Sequence, residues 1–140
     1  MADRANYRVI KFSLDNPSAD GIILAGGNGD GCSLNQFVMI VGLVLNSVRQ
    51  LYVIDSSCQR LVKFPANSNS TVYGELIAAM NMPTGITIDR QTDDIYVADT
   101  SNTFVKKFIN GSTVGVIVAG MKIFVFSSSS KYIIFIHEFH

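Results

Sequence analysis

The chain has 140 residues, enough for one ordinary domain, and 48% of them are apolar, enough to bury a core. Eleven acidic residues balance eleven basic ones, so no net basic field draws in nucleic-acid phosphates and nucleic-acid binding is disfavoured. The longest apolar run, residues 37–45, reaches about half of the roughly 20 residues a membrane helix needs. No membrane span is expected, and a buried strand is the reading there. The first residues carry Asp3 and Arg4 and no apolar segment, which is not the pattern of a signal peptide.

In chain order, the same phrase occurs three times. Asp3-Arg4-Ala5-Asn6-Tyr7-Arg8-Val9-Ile10-Lys11-Phe12 opens the chain. It returns as Asp55-Ser56-Ser57-Cys58-Gln59-Arg60-Leu61-Val62-Lys63-Phe64, and again as Asp99-Thr100-Ser101-Asn102-Thr103-Phe104-Val105-Lys106-Lys107-Phe108. A repeat of this kind dictates architecture before any local motif does. In the first copy Ala2-Asp3 is the end of a second strand, residues 8–12 are a third and 21–25 a fourth. Asn28-Gly29-Asp30-Gly31 then reads as a Gly-rich turn. It lacks the carboxylates of a calcium loop and the Gly-Lys-Ser/Thr of a phosphate loop. The second copy has strands at 42–46, 50–55, 60–64 and 75–78. The third has them at 85–89, 94–99, 104–109 and 114–119, with Asn110-Gly111 as a hairpin signal. Residues 121–140 match nothing in the repeat. They read as an apolar hairpin around a Ser turn, either a diverged strand pair or a gene end foreign to the repeat.

Four short strands per unit, with units about 40–50 residues apart, describe a propeller blade. The expected fold is all-β: an open β-propeller arc of roughly three four-stranded antiparallel blades. The propeller segment is 1–120, divided into a partial blade 1–31 and blades 32–80 and 81–120, followed by the tail 121–140. Lys11, Lys63 and Lys107 recur before the repeat phenylalanine and read as snorkelling strand-edge lysines. An arc that does not close leaves apolar blade faces in water, so self-association through them is expected, and a piece of a longer propeller protein is the simplest origin.

Pro83-Thr84-Gly85-Ile86-Thr87-Ile88-Asp89 and Ile95-Tyr96-Val97-Ala98-Asp99, followed by Asn102 and Val105-Lys106-Lys107-Phe108, resemble the NHL repeat. Ala25-Gly26-Gly27-Asn28-Gly29, followed by Leu34-Asn35-Gln36-Phe37, resembles the linker between NHL blades. The resemblance implies blades of a six-bladed propeller that binds proteins, RNA or small molecules on one face. Some members end TRIM-type ubiquitin ligases, others are extracellular sensor or adhesion modules, and a few are lyases. The chain departs from the pattern where Phe104 replaces the usual Arg, where Ile40 stands in the place of Pro83, and in having fewer than three full blades.

No catalytic residue, metal ligand or cofactor is assigned. The only histidines, His137 and His140, lie in the tail, whereas the lyase relatives hold zinc with propeller histidines. No Ser-His-Asp set can be assembled from the repeats. Asp55, Ser57, Arg60, Asp99, Ser101 and Asn102 gather on one rim by the strand count. They read either as local turn-holding groups or as contacts to a partner, a protein or small ligand. Cys32, in the linker, and Cys58, in the second-to-third loop, fall on that same rim and are expected to be neighbours, either paired or as two separate thiols. Asn69-Ser70-Thr71 and Asn110-Gly111-Ser112 are N-glycosylation acceptors in pattern, in loops at the opposite end. Paired cysteines and glycosylated asparagines would favour an extracellular setting over a cytoplasmic one. The expected function is a non-enzymatic binding scaffold. The alternatives are a remnant of a lyase- or lactonase-like enzyme and an RNA-binding domain of the TRIM type.

Overall fold

The structure, a computed structural model, describes residues 1–16, 19–122 and 133–134. It is an arc of antiparallel sheets set face to face. The first blade has three strands, β1 (Ala2–Asp3), β2 (Arg8–Lys11) and β3 (Ile22–Gly26), in the order β1-β2-β3. The second has β4 (Ile40–Leu45), β5 (Leu51–Asp55), β6 (Arg60–Phe64) and β7 (Glu75–Ala79), paired in sequence order. The third repeats it with β8 (Pro83–Ile88), β9 (Ile95–Asp99), β10 (Phe104–Phe108) and β11 (Gly115–Ala119). In the tail, β12 (Met121–Lys122) pairs with β13 (Ile133–Ile134); the rest of the apolar hairpin read there lies outside the described residues.

The first strands of the two full blades start two residues before the repeat alignment places them. Each carries a register shift, between Ile40 and Gly42 and between Pro83 and Gly85, which carries pairing on to the carboxylate-bearing end of the second strand: Ile40 faces Asp55 and Pro83 faces Asp99. Pro83 fits because the first residue of a strand has no ladder N–H to lose.

Period-2 alternation builds the core. Leu51 and Val53 of β5 join Val9, Ala25, Phe37, Ile40, Val62 and Phe64 between the first and second blades. Tyr52 and Ile54, on the other side of the same strand, join Leu61, Ile77, Met80, Ile95, Val97 and Phe108 between the second and third. The middle blade is thus covered on both faces. Gly42 permits the second contact: a Cβ there would sit 2.7 Å from Ile86 Cγ2 of the neighbouring blade. The repeat phenylalanines are not equivalent in depth. Phe64 and Phe108 are buried, whereas Phe12, one residue past the end of β2, is 44% exposed.

Candidate binding rim

Each second strand ends in an aspartate, and each is followed by a turn of the same shape. Tyr7, Gln59 and Thr103 all adopt left-handed backbone (φ 51, 53 and 61), and each donates its N–H to the carbonyl three residues before it. The carboxylate holds that turn. Asn6 Nδ2 donates to both Asp3 oxygens, and Asn102 Nδ2 donates to Asp99 at 3.0 Å. The middle blade has Cys58 at this position, and its backbone N–H makes the bond to Asp55 instead.

The same carboxylates reach the chain entering their blade. Asp55 accepts the N–H groups of Val38 at 3.0 Å and Met39 at 2.9 Å; Asp99 accepts that of Asn81 at 2.6 Å. Both aspartates are fully buried. Burial pushes the Asp99 carboxyl up, but Lys106 Nζ at 2.8 Å, Asn102 and the Asn81 N–H outweigh it and leave the group below its ordinary value. Arg60 is buried beside Asp55, its Nη2 3.7 Å from the carboxylate, and burial pulls its pKa down against the opposing pull of Asp55. Its guanidinium donates to the carbonyls of Cys32, Ser33 and Gln36.

Of the six rim residues named from sequence, Asp55, Arg60 and Asp99 have their charged groups withdrawn from solvent and spent inside the fold. The two carboxylates and the Arg60 Nη groups hold the turns and linkers. Asn102 is half-buried and bonded to Asp99. Ser57 and Ser101 are exposed. Cys32 and Cys58 form a disulfide, with Cα atoms 5.6 Å apart, which ties the long linker to the rim turn of the middle blade.

Sequence reasoning passed over three apolar residues on this rim. Val38, Met39 and Met82 precede the first strands of the full blades and are 36%, 47% and 56% exposed. Met39 and Met82 are each one residue before a first strand, Ile40 or Pro83, and that shared position was the available signal.

At the opposite end a cavity of about 260 Å³ opens between the first two blades, lined by Lys11, Leu24, Leu45, Arg49 and Asn67. Among the described residues neither cation makes an ion pair. The other repeat lysines do: Lys63 meets Glu75 at 2.7 Å, and Lys107 meets Asp94 at 2.7 Å. The Lys107 contact holds the Asp94 carboxyl below its usual range. Among the described residues no three His, Cys, Asp or Glu side chains gather as a metal site. No described helix is long and apolar enough to cross a membrane. His137 and His140 lie outside the described residues.

Four-stranded antiparallel blades stacked face to face, each turned by the same buried aspartate, define an open β-propeller arc. Residues 80–108, from the end of the second blade to the third strand of the third, match the family model of the NHL repeat. No curated protein matches the chain.

Proposed function

We propose that the chain is a non-enzymatic binding scaffold that engages a protein partner through the disulfide-bearing rim. The observation that carries this is the pairing of fixed turns with exposed apolar side chains. Asp55 and Asp99 hold the turns from inside, while Val38, Met39 and Met82 stand out beside the Ser57 and Ser101 hydroxyls. Methionine adapts to irregular partner surfaces, and loops on a rigid scaffold commonly carry recognition. The partner's surface would be apolar, with polar groups placed for the two hydroxyls. Peptides selected for binding to the purified chain test this. Met39→Glu with Met82→Glu should weaken them at least about tenfold, roughly the loss of one buried apolar anchor, while the melting curve stays put. Binders indifferent to both changes would remove the rim reading.

A second reading rests on the cavity at the other end. Lys11 and Arg49 beside Leu24 and Leu45 suit a small amphipathic anion. Titration with octanoate, against octanol and against a Lys11→Ala, Arg49→Ala variant, distinguishes it from the rim. The outward face of the third blade, where Val116 and Val118 are exposed, also suits packing against a second copy. Light scattering reads that state, and a monomer across the working concentration range would exclude it.

A further inference from the structure

We propose that Asn69 is an N-glycan acceptor, with Asn110 a weaker one in the equivalent loop of the next blade. The proposal goes beyond the rim reading and does not depend on it. Three observations carry it.

The first is the local chemistry of Asn69-Ser70-Thr71. The Asn69 side-chain oxygen accepts both the Thr71 N–H at 2.9 Å and the Thr71 hydroxyl at 2.7 Å. The amide nitrogen is left without a hydrogen bond among the described residues, and Asn69 is exposed. A glycan on that nitrogen would therefore displace nothing in the folded chain. The loop is also fixed, since Asn28 Nδ2 donates to the Ser70 carbonyl at 2.7 Å and Val72 N–H to the Asn69 carbonyl.

The second observation is recurrence. Asn69 lies between β6 and β7, and Asn110 between β10 and β11. Both are exposed, both sit in a turn closed by a backbone bond (Val72 N–H to the Asn69 carbonyl, Ser112 N–H to the Ile109 carbonyl), and both have a hydroxyl residue two positions on. Asn110 lacks the preset geometry, because the Ser112 hydroxyl is turned toward the backbone of Val114. These loops leave the strands at the end opposite Ser57 and Ser101.

The third is the Cys32–Cys58 disulfide, a bond that persists in oxidising compartments, where N-glycosylation also takes place. The step joins the Asn69 amide nitrogen to the anomeric carbon of an oligosaccharide carried on a lipid pyrophosphate. The new C–N bond replaces the C–O bond to the phosphate. The lipid pyrophosphate leaves with that electron pair, and the amide gives up one proton.

The test is the full chain behind a cleavable signal peptide in a eukaryotic secretory host. Mass is measured on both secreted and cell-associated pools, before and after N-glycosidase. The expected result is a glycosidase-sensitive mass increase that disappears in Asn69→Gln and in Thr71→Ala, with a smaller fraction removed by Asn110→Gln. Thr71→Ala keeps the asparagine, so it separates loss of the acceptor pattern from loss of the side chain. An unshifted mass in chain that carries the disulfide overturns the proposal. So does a shift that survives Asn69→Gln unchanged. Neither result bears on the rim, whose test reads binding and not mass.

Discussion

In the second blade Asp55 faces Arg60, the first residue of its own third strand. In the third blade that position is Phe104, and Asp99 is met instead by Lys106, two residues further along. Residues i and i+2 of a strand share a face, so the cation has moved along one side without leaving it. The first blade keeps the arginine: Arg8 meets Asp3 at 2.8 Å. The reason for the difference lies in the linkers. The chain enters the second blade through residues 27–39 and the third through residues 80–82. The long linker brings carbonyls that need donors, and the Arg60 fork supplies them at Cys32, Ser33 and Gln36. In the short linker the Asn81 carbonyl is met by the Ser101 N–H, so no side-chain fork is required and a single ammonium group faces Asp99. The carboxylate is the constant of the blade, and the cation follows the linker.

The sharpest way to break that comparison is to remove the two carboxylates. Asp55→Ala strips acceptors from Val38, Met39 and Cys58 and leaves Arg60 buried without a counter-charge, an expected loss of about 3–5 kcal/mol. Asp99→Ala leaves Lys106, whose side chain is partly exposed, free to turn to solvent, so about 1–3 kcal/mol is expected. Urea unfolding of both variants measures the pair. Equal losses would mean that the buried arginine adds nothing. Next in size is the disulfide. Cys32→Ser with Cys58→Ser should cost about 3 kcal/mol, with faster amide exchange confined to the long linker and the middle rim turn. Exchange rising equally in the third blade would show that the linker is not an independent unit.

A smaller effect sharpens the comparison. Lys106→Ala should cost about 1–2 kcal/mol by leaving the buried Asp99 without its counter-charge, and adding Phe104→Arg should restore part of it by returning the cation to the position it holds in the other blades. A double variant no more stable than Lys106→Ala would show that strand position, and not charge, decides.

Much of this was legible from the threefold phrase. The repeat located every strand of the three blades, because each local signal agreed with the others: alternation in 85–89, the Asn110-Gly111 turn, the carboxylate at the end of each second strand. The bulges that start β4 and β8 two residues early were not legible, since they depend on pairing across the sheet. At the rim, the pattern read Asp55, Arg60 and Asp99 either as turn-holding groups or as partner contacts, and the structure buries all three and engages them in turn and linker bonds, as recurrence in every blade suits. Phe104 looked like a lost arginine because Lys106 as its replacement shows only when the strand faces are known. Exposure of Val38 and Met39 was hidden inside an apolar run that reads as buried strand; the strand starts only at Ile40.

The smallest expected effect is the response to acid, and its sign follows from the same carboxylates. Burial raises the Asp99 carboxyl, yet Lys106, Asn102 and the Asn81 N–H hold it below its ordinary value of 3.8. Asp94, held by Lys107, and Asp3, held by Asn6 and then Arg8, are lowered as well. In the unfolded chain these groups take up protons near the ordinary value, whereas in the folded chain they stay ionised further into acid. The unfolded state then binds more protons, so stability is fully present above that pH and declines as pH falls through the lower folded values. Unfolding midpoints taken from pH 7 down to about 2.5 should therefore drop on the acid side. Asp99→Asn, which cannot titrate, should start lower at neutral pH and fall less steeply. A variant that keeps the full acid slope of the parent would show that Asp99 is not among the groups responsible, and would break the link between the rim carboxylate and the stability of the third blade.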